Sequence, residues 1–125
     1  MAVTQLNTFK TFTTTLTTIG SSAYGQLLYT APTGFTSIIL MAQISNITSS
    51  AAQATFSYYN IATATAASTT PTNISLIQGF SVPGNDSVSV TSGKLVVMTG
   101  DQVYAYASAN STLQIVLSIL ETSNG

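Results

Sequence analysis

Three carboxylates (Asp86, Asp101, Glu121), two lysines (Lys10, Lys94) and six tyrosines make up the acid–base chemistry of this 125-residue chain. Histidine and cysteine are both absent. A Ser-His-Asp triad, a thiolate nucleophile, a disulfide and a His or Cys metal site are therefore impossible within the chain. Two carboxylates flanking a glycosidic bond at roughly 5 to 9.5 Å could cleave it. Asp86 and Asp101 instead sit in turn sequences, Pro83-Gly84-Asn85-Asp86 and Thr99-Gly100-Asp101. There an Asp side chain characteristically closes a turn on its own backbone. A calcium site on Asp86 and Asn85 would need roughly six to eight oxygen ligands, and no acidic cluster adjoins them. The chain is expected not to be an enzyme and to need no metal or cofactor. The tyrosines are the remaining chemistry. Tyr104 and Tyr106 would share a strand face, and Tyr58 and Tyr59 are neighbours. Such rings either stack on sugars or pack in cores and interfaces; packing is the expected role.

The elements that must position these residues are legible from composition and pattern. Hydrophobic residues make up 45% of the chain but charged ones only 4%, where about 25% is usual. Disorder couples low hydrophobicity to high charge, the opposite combination. A net charge of -1 gives little repulsion between copies, so association is expected. Two basic residues provide no electrostatic footprint for nucleic acid. The longest apolar run, Ile38 to Ala42, is far short of the ~20 residues that span a membrane as a helix. The first residues have neither the basic nor the apolar region of a signal peptide. Four Asn-x-Ser/Thr triplets, at Asn46, Asn73, Asn85 and Asn110, are discounted as glycosylation sites in a chain so rich in these residues.

Threonine and serine dominate, and no segment carries a helical apolar stripe. Short β-forming runs are divided by turn signals. The runs are Phe9 to Ile19, Gly25 to Thr30, Phe35 to Ile44, Ala54 to Tyr59, Asn73 to Gln78, Ser87 to Thr91, Lys94 to Met98, Val103 to Ala107 and Thr112 to Leu120. Strict alternation would put Leu28 with Thr30 on one face of the second run and Leu27 with Tyr29 on the other. The last run has an apolar face and a second face that is partly apolar. Ile61 to Thr72, rich in Ala and Thr, reads as a long loop. Hairpin-length connections imply antiparallel pairing. The expected fold is all-β: an antiparallel two-sheet sandwich of eight or nine strands, jelly-roll or immunoglobulin-like, with a closed barrel as the second possibility. Residues 1–20 read as an N-terminal arm or edge strand and 21–125 as the sandwich, in a single domain.

Several stretches, in order, resemble small virion proteins of tailed bacteriophages, notably those of marine cyanobacteria. They are Phe9-Lys10-Thr11-Phe12, Leu28 to Ile38 with Ala31-Pro32-Thr33-Gly34, the Asn46 to Ser50 turn, Lys94 to Val103 with Thr99-Gly100-Asp101, and Ser118 to Glu121. The Ile61 to Thr72 stretch has no counterpart in that pattern. The resemblance implies a β-sandwich structural protein of the phage particle, made in the host cytoplasm. A capsid decoration or cement subunit on the outer head surface is the leading expectation. A tail, tail-fibre or host-glycan-binding module is the alternative. Its partners would be the major capsid protein or other virion subunits and further copies of itself, a trimer being the working expectation, with no nucleic acid and no membrane. The expected interface residues are Phe9, Phe12, Leu16, Tyr58, Tyr59, Ala64, Thr65 and Thr69.

Overall fold

The computed structural model describes residues 7–20, 23–61, 70–91 and 93–123. The described residues form β1 (Asn7–Thr15), β2 (Gln26–Thr30), β3 (Phe35–Asn46), β4 (Ala52–Asn60), β5 (Thr72–Val82), β6 (Ser87–Ser89), β7 (Leu95–Val97), β8 (Gln102–Ala107) and β9 (Leu113–Ser123). Sheet A has the order β1-β9-β3-β6, with β7 also pairing with β3; sheet B has the order β2-β8-β4-β5. All pairings are antiparallel.

The pairing is nested. β4 pairs with β5, β3 with β6 and β7, β2 with β8, and β1 with β9. One long hairpin has thus been rolled up, and β9–β3 and β8–β4 contacts close the roll. This is the jelly-roll arrangement rather than the immunoglobulin one or a closed barrel. β6 and β7 are two short pieces along one edge: β6 faces Gln43–Ser45 and β7 faces Ser37–Ile39.

Alternation explains the core. On β9, Leu113, Ile115, Leu117 and Ile119 point inward and are buried. Sheet A adds Leu16, Ile39, Ala42, Ile44 and Val97. Sheet B answers mostly with smaller residues, Ala54, Val103, Ala105 and Ala107, around Leu28 and the larger Phe56. Large side chains on one sheet filling space left by small ones on the other is how facing layers interdigitate.

Two sequence expectations need correction. Phe12 and Leu16, in the N-terminal arm or edge strand, are two of the residues expected at an interface. Leu16 is in fact 0% exposed and Phe12 packs against the core, while β1 pairs with β9 from Asn7 to Thr15. The described part of the segment is an edge strand of the chain's own sheet. On β2, strict alternation fails because the register shifts between Leu27 and Tyr29. A bulge places one extra residue on the strand, so Leu28 and Tyr29 both turn inward and Leu27 stays outside.

Candidate functional site

Two of the three carboxylates are buried. Asp101 is 0% exposed. It closes more than its own turn: one carboxylate oxygen accepts the Ile61 N–H at 3.0 Å, and the other accepts the Tyr58 phenol. Sequence placed Asp101 in a local turn. The turn exists, since the Asp101 N–H donates to Met98 O at 2.9 Å, but the side chain bridges to residues some forty positions away. Glu121, 4% exposed, accepts the Tyr29 phenol and an ion pair from Lys10 Nζ at 3.1 Å. The Tyr29 hydroxyl also lies 2.6 Å from Ser37 Oγ. Tyr29 belongs to sheet B, and Ser37 and Glu121 to sheet A, so this phenol ties the sheets together. Burial first, and the adjacent carboxylates second, push the Tyr29 and Tyr58 phenols far above their ordinary range. These tyrosines therefore act as neutral hydrogen-bond donors to buried charge, which would be costly if left unpaired. Asp86 does close its own turn, its Oδ1 accepting the Ser87 N–H at 2.8 Å. Among the described residues no cluster of three His, Cys, Asp or Glu could hold a metal ion.

The outer face of sheet A carries an apolar row. Phe9 on β1 lies opposite Leu120 on β9, Leu120 opposite Ile38 on β3, and Ile38 opposite Val96 on β7. Phe9 is 74% and Val96 50% exposed. Directly opposed side chains on one sheet face touch, so the four form a stripe running across the strands. A shallow groove nearby is lined by Thr13, Thr15, Ser45, Gln114 and Val116, hydroxyls and an amide without an acid or base.

The outer face of sheet B is different. On β8, Val103, Ala105 and Ala107 point inward and are buried, so Tyr104 and Tyr106 point outward. On β4, Tyr58 packs on the core, and its neighbour Tyr59 faces out. Tyr24 joins them, with its ring centroid 5.4 Å from Tyr59 and 5.5 Å from Tyr104; Tyr59 and Tyr104 are 6.4 Å apart. Gly25, next to Tyr24, runs close to a fourth ring, the outward-pointing Tyr106. It has φ of +92, and a Cβ there would meet the Tyr106 Cβ at 2.8 Å, so the chain crosses Tyr106 closely only because the residue is glycine. Polar groups lie between the rings: the Tyr104 hydroxyl donates to Gln102 Oε1 at 2.7 Å, and Gln102 Nε2 donates to Thr30 Oγ1 at 3.3 Å. Burial pushes the Tyr104 phenol up, with Tyr59 and Tyr24 adding to the effect. No strand of sheet B contains a charged residue.

The expected interface residues therefore fall in several places. Phe9 is exposed, on the apolar stripe. Phe12 is partly buried against the core. Leu16 is wholly buried in it and has no surface to offer a neighbour. Tyr58 is committed to Asp101, and Tyr59 belongs to the outer tyrosine cluster. Ala64, Thr65 and Thr69 lie outside the described residues. Leu120, Ile38 and Val96 were not singled out from sequence, although the partly apolar second face of β9 was a signal for Leu120. Tyr24 gave none, since it stands outside any strand. The Asn46 amide is spent internally. Its Nδ2 donates to Ser50 O and Val82 O, and its Oδ1 accepts from Thr48. The sequence matches no protein-family model and no curated protein sequence.

Proposed function

We propose that this chain is a structural subunit of a phage particle, most simply a capsid decoration protein that binds the outer head surface and other copies of itself. The observation that carries the assembly reading is the surface. Phe9, Leu27, Ile47, Ile74, Leu76, Phe80 and Val96 are all exposed on a chain with five charged residues in all. Contiguous exposed apolar surface on a soluble fold marks an interaction site. Three of these residues, Ile74, Leu76 and Phe80, lie on β5, an eleven-residue strand at the edge of sheet B. A long apolar edge invites pairing with another chain. The jelly roll is a fold of viral coat domains, and of lectins as well. It therefore agrees with the reading without selecting it. The phage assignment itself rests on the sequence resemblance. On this reading the subunit does no chemistry, and its carboxylates hold the fold. Counting copies in purified particles tests the assignment. A decoration protein is present in hundreds of copies per particle, on the order of the number of capsid subunits it covers. A handful of copies would instead place it at a tail tip, and none would remove it from the particle.

A further inference from the structure

We propose that the outer face of sheet B is a binding site for a neutral oligosaccharide, held by Tyr24, Tyr59 and Tyr104. The first argument is the inverted pattern of β8. A strand with one face buried ordinarily turns its large residues inward. β8 buries Val103, Ala105 and Ala107 and turns Tyr104 and Tyr106 out. The core does not need the rings, since sheet A fills it with Ile and Leu.

The second argument is order. The three rings brace one another at 5.4 to 6.4 Å in tilted and edge-on arrangements. Gly25, the residue after Tyr24, lets the backbone pass directly against Tyr106. Rings already held in place lose little freedom when a ligand arrives.

The third argument is chemistry, and it selects the ligand. Across the strands, one row reads Thr30, Gln102, Tyr59, Asn73, and the next reads Leu27, Tyr104, Ser57, Ser75. Tyr59 and Tyr104 are thus bordered by the Gln102 and Asn73 amides and the Thr30 and Ser75 hydroxyls, while Ser57 is buried. A pyranose has the matching pattern, an apolar C–H face bordered by hydroxyls that both donate and accept. The absence of charge from all four strands leaves the strands themselves without a cation to pair with sulfate, phosphate or carboxylate and so favours a neutral sugar. A protein neighbour is better matched by the aliphatic stripe of sheet A and the apolar β5 edge. This inference does not depend on the assembly reading, because Tyr24, Tyr59 and Tyr104 are not among the exposed apolar residues that carry it.

The test applies the purified full chain to an array of neutral hexose, N-acetylhexosamine and deoxyhexose oligomers beside sialylated and sulfated ones. Affinities for the bound glycans then follow from titration with tyrosine emission as the readout, since the chain has no tryptophan. The expected result is binding confined to neutral glycans. Tyr59→Ala and Tyr104→Ala should weaken it at least about tenfold, and Tyr59→Phe should stay within roughly threefold, as for an aromatic hot spot. Tyr24→Ala, outside the strands, serves where a strand variant fails to fold. Three results would overturn the proposal: no neutral glycan bound, only charged glycans bound, or affinity unchanged in the alanine variants. A change in oligomer mass without glycan binding would also overturn it, assigning the face to a second copy. Failure here leaves the copy count in particles untouched, so the two readings fail separately.

Discussion

The outer faces of the two sheets are built on the same jelly roll and differ in kind. Sheet A exposes aliphatic and phenylalanine side chains in a row, Phe9, Leu120, Ile38 and Val96. Sheet B exposes a tyrosine cluster set among amides and hydroxyls, and confines its exposed aliphatic and phenylalanine side chains to its edge strands β2 and β5. The inner faces explain how both are possible. Sheet A gives the core its large residues, and sheet B gives mostly Ala and Val, so the tyrosines of β8 are free to point out. The alternation of a strand makes inside and outside independent choices. One face can therefore suit a protein neighbour and the other a hydroxylated ligand without altering the fold.

The largest effect should come from breaking what both faces share. Phe56 is the largest core residue of sheet B and is wholly buried. Phe56→Ala should cost about 3–5 kcal/mol, read from urea unfolding. Asp101→Ala removes the carboxylate that accepts the Tyr58 hydroxyl and the Ile61 N–H and should cost about 3 kcal/mol, given roughly 1.5–3 kcal/mol for each hydrogen bond to a charged group. Either change should weaken both faces together. A cost below about 1 kcal/mol for Asp101→Ala would show that its hydrogen bonds do not hold the fold.

Replacing Phe9 and Val96 together by serine should separate the faces. Each exposed side chain, if covered by a neighbour, contributes roughly 1.5 kcal/mol, so the dissociation constant of self-association should rise on the order of a hundredfold. Unfolding free energy of the monomer should change by less than about 0.5 kcal/mol per site, as is usual for exposed positions. Analytical ultracentrifugation reads the first and urea the second.

Alkaline pH gives a smaller, graded effect. Tyr29 and Tyr58 hold their protons in the fold above the ordinary phenol value of 10.0. Between the unfolded and folded values the unfolded chain binds fewer protons, so stability is full below about pH 10 and falls as pH rises beyond it. Ultraviolet phenolate absorbance should show the Tyr29 and Tyr58 phenols among those withheld until unfolding, and Tyr29→Phe should withhold one fewer. The smallest effect concerns salt. With so few charges, self-association should be nearly unchanged between low and molar sodium chloride. Dissociation by salt alone would mean that charges such as Lys94 and Asp86, rather than the apolar stripe, hold the copies together.

The architecture was readable in the sequence because turn chemistry and alternation are local. Ala31-Pro32-Thr33-Gly34 and Pro83-Gly84-Asn85-Asp86 marked real turns, and Leu113 to Ile119 marked a real inner face. The register shift at Leu28 was not readable, because a bulge depends on the partner strand. Asp101 looked like a turn residue and is one, yet its carboxylate partners Tyr58 and Ile61 come from β4 and the residue after it. Lys10 and Glu121 are 111 positions apart in sequence, and only the β1–β9 pairing brings them together. The stripe on sheet A has the same origin. Phe9, Leu120, Ile38 and Val96 come from four strands, and no window of sequence contains them together.

Light scattering of the purified chain across a wide concentration range tests the central claim, that exposed apolar surface makes this an assembly subunit, most directly. The account predicts a mass that rises with concentration from the 12.9 kDa monomer to a defined oligomer, and a return toward the monomer when Phe9 and Val96 are serine. A monomer at every concentration, in the presence and absence of salt, would contradict it.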